Sequence, residues 1–310
     1  MILTVTPNPA LDLTWRVDRL TPGATHRADA GAARSGGKGI NVARVAHAQG
    51  ASVLALTTAG GRTGVAFVAD LGASGVPHRL VQVAAPTRQT VALVDEALGD
   101  TTIVNERGEN PTDAEWAALF GEVVDALPSA RVLVISGSLP PGAPGSFVPL
   151  LIGTAADAGV PVIVDTSGPA LLRAADAGAS VLKPNAAELV EATGIADPVE
   201  GARALLARGA GLVLLSRGAE GMLAVTAETV THARLDAPLA GNPTGAGDAA
   251  VAACAALYAD GVRDTETVLR RATAWSAAAV TMPLAGEISD DWSALEQRLV
   301  VTSTPREERP

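Results

Sequence analysis

A chain of 310 residues that is 48% hydrophobic buries a large core, which excludes global disorder. A formal charge of -10 and only 3% aromatic residues argue against a nucleic-acid partner, which needs a basic face and stacking rings, but leave room for small anions held by a few local cations. No apolar run is long enough to span a bilayer, the stretch Met1-Ile2-Leu3-Thr4-Val5 lacks the basic region and the length of a signal peptide, and the single Cys254 sits in an apolar stretch as a small core residue, so a cytoplasmic protein without a membrane partner is expected.

Along the chain, short β-branched runs alternate with alanine-rich helical patterns. A strand is expected over 2–5, a helix over 40–49, a strand over 52–57 and helices over 65–74 and 113–126. Strands follow over 132–136, 162–165 and 180–182, then helices over 186–193 and 198–208. A strand over 212–216 and helices over 246–260 and 264–281 complete the alternation. This order implies an α/β fold with a mostly parallel central sheet covered by helices on both faces. Ligands of such sheets bind at the carboxyl ends of strands, which makes the polar residues ending 132–136 and 162–165 site candidates.

Two segments break the alternation. Residues 13–35 and 88–105 read as extended, and 90–105 reads as a hairpin turning at Leu98-Gly99-Asp100. Together they would form a small sheet that acts as a lid over the strand ends and offers a face for homodimerisation. The polar tail 302–310 carries two prolines and is expected to fray. The remainder reads as a single domain over 1–310.

The most informative run is Gly241-Asn242-Pro243-Thr244-Gly245-Ala246-Gly247-Asp248, directly before an apolar helix. Free N–H groups and the positive end of a helix dipole make an anion site there, and glycines admit a phosphate close to the backbone. Asp248 would repel that phosphate unless it takes a proton from a hydroxyl; its alternative use is a helix N-cap. A second glycine-rich run, Ser35-Gly36-Gly37-Lys38-Gly39-Ile40-Asn41, precedes another helix without the spacing of a Walker A loop. Asn41 offers donor and acceptor to a polyol, and Lys38 a cation to an anionic substituent, although a tight turn would use the same glycines.

Gly36-Gly37-Lys38-Gly39-Ile40-Asn41 and Gly245-Ala246-Gly247-Asp248 together resemble the two signatures of the ribokinase-like sugar kinases. More narrowly they resemble the phosphofructokinase-B branch, which includes 1-phosphofructokinase and tagatose-6-phosphate kinase. Further stretches match in order: Thr6-Pro7-Asn8-Pro9-Ala10-Leu11-Asp12, Thr87-Arg88-Gln89, Ser136-Gly137-Ser138-Leu139-Pro140-Pro141-Gly142, Val164-Asp165-Thr166-Ser167-Gly168 and Lys183-Pro184-Asn185-Ala186-Ala187-Glu188. The resemblance covers nearly the whole chain.

It implies that Asp248 is the catalytic base, with the amides of Gly245, Ala246 and Gly247 as its anion hole. It implies that Asp12, Gly36, Gly37, Lys38, Asn41, Arg88 and Ser138 bind the sugar, and that Lys38 and Arg88 favour a phosphorylated one. Lys183, Asn185, Ser216, Gly218, Gly221, Gly245 and Gly247 would bind the nucleotide. Asn185 and Glu188 would support Mg2+ through water, although the same spacing describes a capping box. The stretch 273–281 would border the adenine. The implied cofactors are ATP and Mg2+, with a monovalent cation as a further candidate, and the implied partners are ATP and a hexose phosphate.

For Asp12 an Asx turn is the competing use, and for Arg27 and Arg107 a solvated surface role is favoured over phosphate binding. Relatives commonly have asparagine where Thr90 stands, another residue pair before Thr244, and Glu-Pro-Gly-Pro where Glu106-Arg107-Gly108-Glu109 stands; two of these departures lie in the lid and bear on the acceptor. The leading expectation is γ-phosphoryl transfer from ATP to fructose 1-phosphate. Tagatose 6-phosphate, fructose 6-phosphate or a free sugar are alternative acceptors, and a non-catalytic sugar or nucleotide sensor is the rival class. A dinucleotide-binding dehydrogenase is disfavoured, because the first strand leads into Thr6-Pro7-Asn8-Pro9 rather than a Gly-x-Gly-x-x-Gly turn.

Overall fold

A computed structural model describes residues 1–305. In chain order the elements begin with β1 (Ile2–Thr6), β2 (Ala10–Val17), β3 (Ala32–Gly36), α1 (Lys38–Ala48), β4 (Val53–Gly60), α2 (Gly61–Ala73), β5 (His78–Val83), β6 (Arg88–Asp95) and β7 (Asp100–Asn105). They continue with α3 (Asp113–Ala126), β8 (Val132–Ser136), α4 (Phe147–Asp157), β9 (Val162–Asp165), α5 (Pro169–Asp176), β10 (Val181–Leu182), α6 (Ala186–Thr193), α7 (Pro198–Ala207) and β11 (Leu212–Ser216). The last are β12 (Met222–Val225), β13 (Thr229–Leu235), α8 (Ala246–Ala259), α9 (Thr265–Val280), α10 (Trp292–Gln297) and β14 (Leu299–Pro305).

Ten strands form one sheet in the order β14-β13-β12-β11-β10-β9-β8-β1-β4-β5. The strands from β11 to β5 run parallel, and β12, β13 and β14 add an antiparallel flank. The central strands are apolar and buried along their whole length, as expected of strands covered on both faces. One core layer packs α1, α2, α8 and α9 against the sheet, and the other packs α3 to α7. Alanines dominate α8, so it lies close to both α1 and α9. Because β1, β8, β9, β10 and β11 are parallel, Thr6, Ser136, Asp165, Lys183 and Ser216 emerge at one edge.

A second sheet of four strands, ordered β3-β2-β6-β7, projects over that edge. Its strands come from the two segments read as extended, with β2 and β6 parallel at its centre and β6 and β7 forming the hairpin.

Several elements were not legible as such. α4 carries Pro149 in its first turn and α5 begins on Pro169; both prolines occupy first-turn positions, where the missing N–H costs nothing, so they start helices rather than break them. β5, β12, β13 and α10 were also missed. The tail is corrected in part: 302–305 do not fray but finish β14, whose alternating Val, Thr and Ser residues pair antiparallel with β13. Thr231 and Ser303 share a hydroxyl hydrogen bond of 3.1 Å across that pair. The rest of that tail, 306–310, lies outside the described residues.

Candidate active site

A cleft of about 1030 Å3 lies between the strand ends and the small sheet. At its floor, α8 begins. Gly245 caps the helix with φ +85°, a left-handed conformation that favours glycine, and a Cβ there would sit 2.8 Å from Ala285 Cα. The Ala246 N–H closes a turn onto the Pro243 carbonyl at 3.2 Å, whereas Gly245 and Gly247 direct N–H groups without a backbone partner among the described residues. For an anion approaching this turn, the N–H groups of Gly245 and Gly247 are therefore freer than that of Ala246. Gly247 lies close to Lys183, whose Nζ would be 3.1 Å from a Cβ placed there.

Asp248 is the third residue of α8, not its cap, so the N-cap use of this aspartate does not apply. Its carboxylate is only 6% exposed and accepts a 2.8 Å hydrogen bond from Asn41 Nδ2. Burial, reinforced by the negative charge of Asp165, raises its pKa to about 7, against the opposing pull of Lys38 and the Asn41 bond.

Lys38 opens α1, which Gly37 starts with φ +100°. Its Nζ donates to Asp165 Oδ1 at 3.1 Å and to Glu188 Oε1 at 3.3 Å. Burial opposes its charge, yet Asp165, Glu188 and Asp248 hold its pKa above the ordinary lysine value. Lys183 Nζ approaches the same Asp165 oxygen at 3.6 Å. Asp165 is fully buried, which works against its ionisation, but the two lysines win and lower its pKa. The ammonium of Lys38 thus turns to the centre of the cleft, onto Asp165 and Glu188, and does not share a partner with Arg88.

At the lid end, Asp12 on β2 lies against Gly36 on β3. A Cβ at Gly36 would overlap the Asp12 carboxylate, so Gly36 serves Asp12 rather than facing the cleft itself. Burial raises the Asp12 pKa to about 6, opposed by Thr90 and by the charges of Arg88 and Arg34. Arg88 on β6 donates Nε to the Asn8 carbonyl at 3.2 Å and Nη1 to the Glu106 carbonyl at 3.1 Å. Asn8 Nδ2 in turn donates to the Arg107 carbonyl at 3.0 Å and to Ser138 Oγ at 3.3 Å. Arg107 reaches the cleft wall; Arg27 does not, and lies beside Arg16 and Leu284 in a separate groove.

At the opposite end, Lys183, Asn185, Glu188, Ser216, Gly218 and Gly221 line one wall. Asn185 Oδ1 accepts from the Glu188 N–H at 2.8 Å and Glu188 Oε2 accepts from the Asn185 N–H at 2.9 Å. The pair is therefore a reciprocal capping box of α6, and it also faces the cleft. Gly221, with φ +87°, could not take a Cβ because the Ala233 carbonyl is 2.1 Å from where it would stand. An apolar slot continues from there between Leu235, Pro238 and Leu239 on one side and Thr273, Ala277 and Val280 of α9 on the other. Sequence reading had marked only the α9 side. The Leu235–Leu239 side lies in a stretch with no periodicity and carried no signal.

A half-buried floor of amides and carboxylate, cations at the centre and a sheet overhead define a phosphoryl-transferring enzyme of the α/β type with a polyol acceptor. Residues 7–292 match the pfkB family carbohydrate kinases, and the chain belongs to that family. It is 38% identical over 284 residues to the 1-phosphofructokinase of Xanthomonas campestris pv. campestris, across 88% of this chain and 89% of that one. It is 37% identical over 259 residues to the ATP-dependent 6-phosphofructokinase isozyme 2 of Mycobacterium tuberculosis, across 81% of this chain and 76% of that one. Among solved structures it is similar to phosphofructokinase-2 of Escherichia coli in complex with potassium, with TM-score 0.88 and 31% identity over 96% of this chain and 98% of that one. The same bacterial enzyme in its tetrameric inhibited form gives TM-score 0.86 at 31% identity, again over 96% of this chain and 98% of that one.

Proposed function

We propose that this carbohydrate kinase transfers the γ-phosphoryl group of ATP to the free primary hydroxyl of fructose 1-phosphate, giving fructose 1,6-bisphosphate and ADP. The observation that carries the reading is Asp248: a buried carboxylate with a pKa near 7, held by Asn41 at the mouth of an anion-accepting helix terminus. Asp12 and Asn41 orient the sugar hydroxyls, and Arg88 and Arg107 meet its phosphate. Asp248 takes the hydroxyl proton as the oxygen attacks the γ-phosphorus, and the bond to the ADP oxygen breaks. The Gly245 and Gly247 amides and Lys38 stabilise charge on the group in transit.

Among the described residues, no cluster of three or more His, Cys, Asp or Glu is arranged to cage a metal. Glu188 and Asn185, already engaged with each other, fit Mg2+ held through water and nucleotide phosphates, which suits an ion that dehydrates reluctantly. Bound there, Mg2+ would neutralise charge on the transferring phosphates. A monovalent cation is part of the proposal on the likeness to the potassium complex. So is a cytoplasmic location, where ATP and sugar phosphates are found; no helix of the described residues is long and apolar enough to cross a membrane. The exposed Val104 on the lid's edge strand, on the face away from Ile103 and the cleft, suits a homodimer through the lid.

The likeness to a 6-phosphofructokinase favours fructose 6-phosphate as the second acceptor. An ADP-release assay over fructose 1-phosphate, fructose 6-phosphate, tagatose 6-phosphate and free hexoses decides among them. The expected result is the highest kcat/KM on fructose 1-phosphate; a preference for a free hexose would sink the assignment of Arg88 and Arg107.

A further inference from the structure

The loop between α9 and α10 touches both ends of the machinery. Ala285 packs on the turn that opens α8: a Cβ on Gly245 would stand 2.8 Å from Ala285 Cα and 3.3 Å from the Gly286 nitrogen. Gly286, with φ +82°, lies against α1, where a Cβ would meet Arg44 Cδ at 3.1 Å and Asn41 Oδ1 at 3.2 Å. Asn41 is the residue that holds Asp248. One residue further on, Glu287 leaves this wedge and accepts a 2.8 Å ionic hydrogen bond from Arg34 Nη1. Arg34 belongs to β3 of the lid and is the cross-strand partner of Asp12.

The root of β3 is separately pinned. Asp70 on α2 accepts from the Ser35 N–H at 2.7 Å and from the Ser35 hydroxyl at 2.6 Å, while Arg44 donates to Asp70 at 2.7 Å. Ser35 is therefore fixed to the main domain, and Arg34 is the first lid residue beyond that anchor. The Arg34–Glu287 pair is partly shielded, at 20% and 34% side-chain exposure, so it is screened less than a free surface pair.

We propose that Arg34 and Glu287 are positioning residues that strap the lid to the loop backing the anion hole, so that closure over the sugar also sets the Gly245 turn and Asn41. The inference rests on the kinase reading above. Neither residue touches the reacting atoms, and neither lies in the glycine-rich runs that carry the family likeness. A strap of this kind makes the phosphoryl site form fully only when the acceptor has drawn the lid down. It thereby favours transfer over loss of the phosphoryl group to water.

The test combines a double-mutant cycle with amide exchange, on the full chain. Arg34→Ala and Glu287→Ala should each lower kcat about tenfold, as small misplacements of reacting groups do, with KM for ATP within about twofold. The double variant should lose no more than either single one, and ATP hydrolysis without sugar should rise relative to transfer in all three. Glu287→Gln, which keeps the shape but removes the charge that holds Arg34, guards against a folding defect and should show the same uncoupling with an unchanged melting point. In the wild type, fructose 1-phosphate alone should slow exchange in the lid strands and in 282–288; in Glu287→Gln it should slow only the lid. Multiplicative losses, or equal protection of 282–288 in both proteins, would overturn the strap while leaving the kinase reading intact. Absence of wild-type turnover on every sugar phosphate would overturn both.

Discussion

The two ends of the cleft are built on opposite principles. At the α8 end the positions are constrained by their neighbours: Gly245 by the Ala285 backbone, and Asp248 by burial and the Asn41 amide. At the lid end, Arg88 is held by hydrogen bonds to the backbone carbonyls of Asn8 and Glu106, on a sheet whose residues are mostly half-buried. On the proposed reading, chemistry is lodged in the core, where a change of one methyl group is felt, and acceptor recognition hangs from a sheet at the surface.

That contrast can be broken most directly at Asp248. Asp248→Asn should lower kcat by about 10²–10⁴-fold with little change in either KM, measured by ADP release, because the general base is lost while the shape and the Asn41 bond are kept. A comparable kcat loss on removing a lid residue would erase the distinction. Next in size, Arg88→Ala should raise KM for fructose 1-phosphate by roughly 10–100-fold, the worth of about 1.5–3 kcal/mol for a charged hydrogen bond, with kcat nearly intact. An equal effect on a free sugar would contradict phosphate recognition by Arg88.

The pH profile sharpens the same point. Asp248 is pushed from an ordinary value near 3.8 up to about 7, and only its ionised form accepts a proton. kcat/KM should therefore fall about tenfold per pH unit below the pKa, a limb that Asp248→Asn lacks. For stability the sign reverses. The folded state binds the extra proton between the ordinary pKa and about 7, so stability declines as pH rises through that window. Asp248→Asn should melt at a higher temperature than the wild type at pH 8, and lose that advantage near pH 4; a wild-type melting point that climbs from pH 5 to 8 by this route would refute the shift. The smallest effect is expected at Val104, which is exposed on the lid strand β7 and does not line the cleft. Replacing it by serine should leave turnover per active site nearly unchanged and shift the sedimentation profile toward monomer.

The same contrast governs what was readable beforehand. The parallel strands and the glycine-rich helix starts were legible, because β-branched runs and positive-φ glycines report local physics. The pairing of Asp165 with both Lys38 and Lys183 was not: the partners are far apart in the chain, and only the closing of the parallel sheet brings them together. The turn of Lys38 away from the lid follows from that same buried carboxylate, whose charge at the floor of the cleft outweighs any pull from above. The helices beginning near Pro149 and Pro169 were hidden because proline reads as a breaker unless its place in the first turn is already known. The nucleotide-side slot was half seen, since Leu235 and Leu239 stand in a segment that is shaped by packing on α9 rather than by its own pattern.

One further consequence lies in the path from β1 to β2. Thr6 ends a fully buried strand of the great sheet and Ala10 begins the lid, with Pro7, Asn8 and Pro9 between. The lid is thus neither an appended module nor a loop that could be exchanged whole; one of its two central strands continues a strand of the core. The exposed stretch 18–31, by contrast, ties two lid strands at their outer end and bears on neither catalytic wall. Its length bears little on the site, whereas two prolines lie on the route that feeds Asp12 into place. Deleting part of 22–28 should spare turnover, while replacing Pro7 and Pro9 by glycine should not.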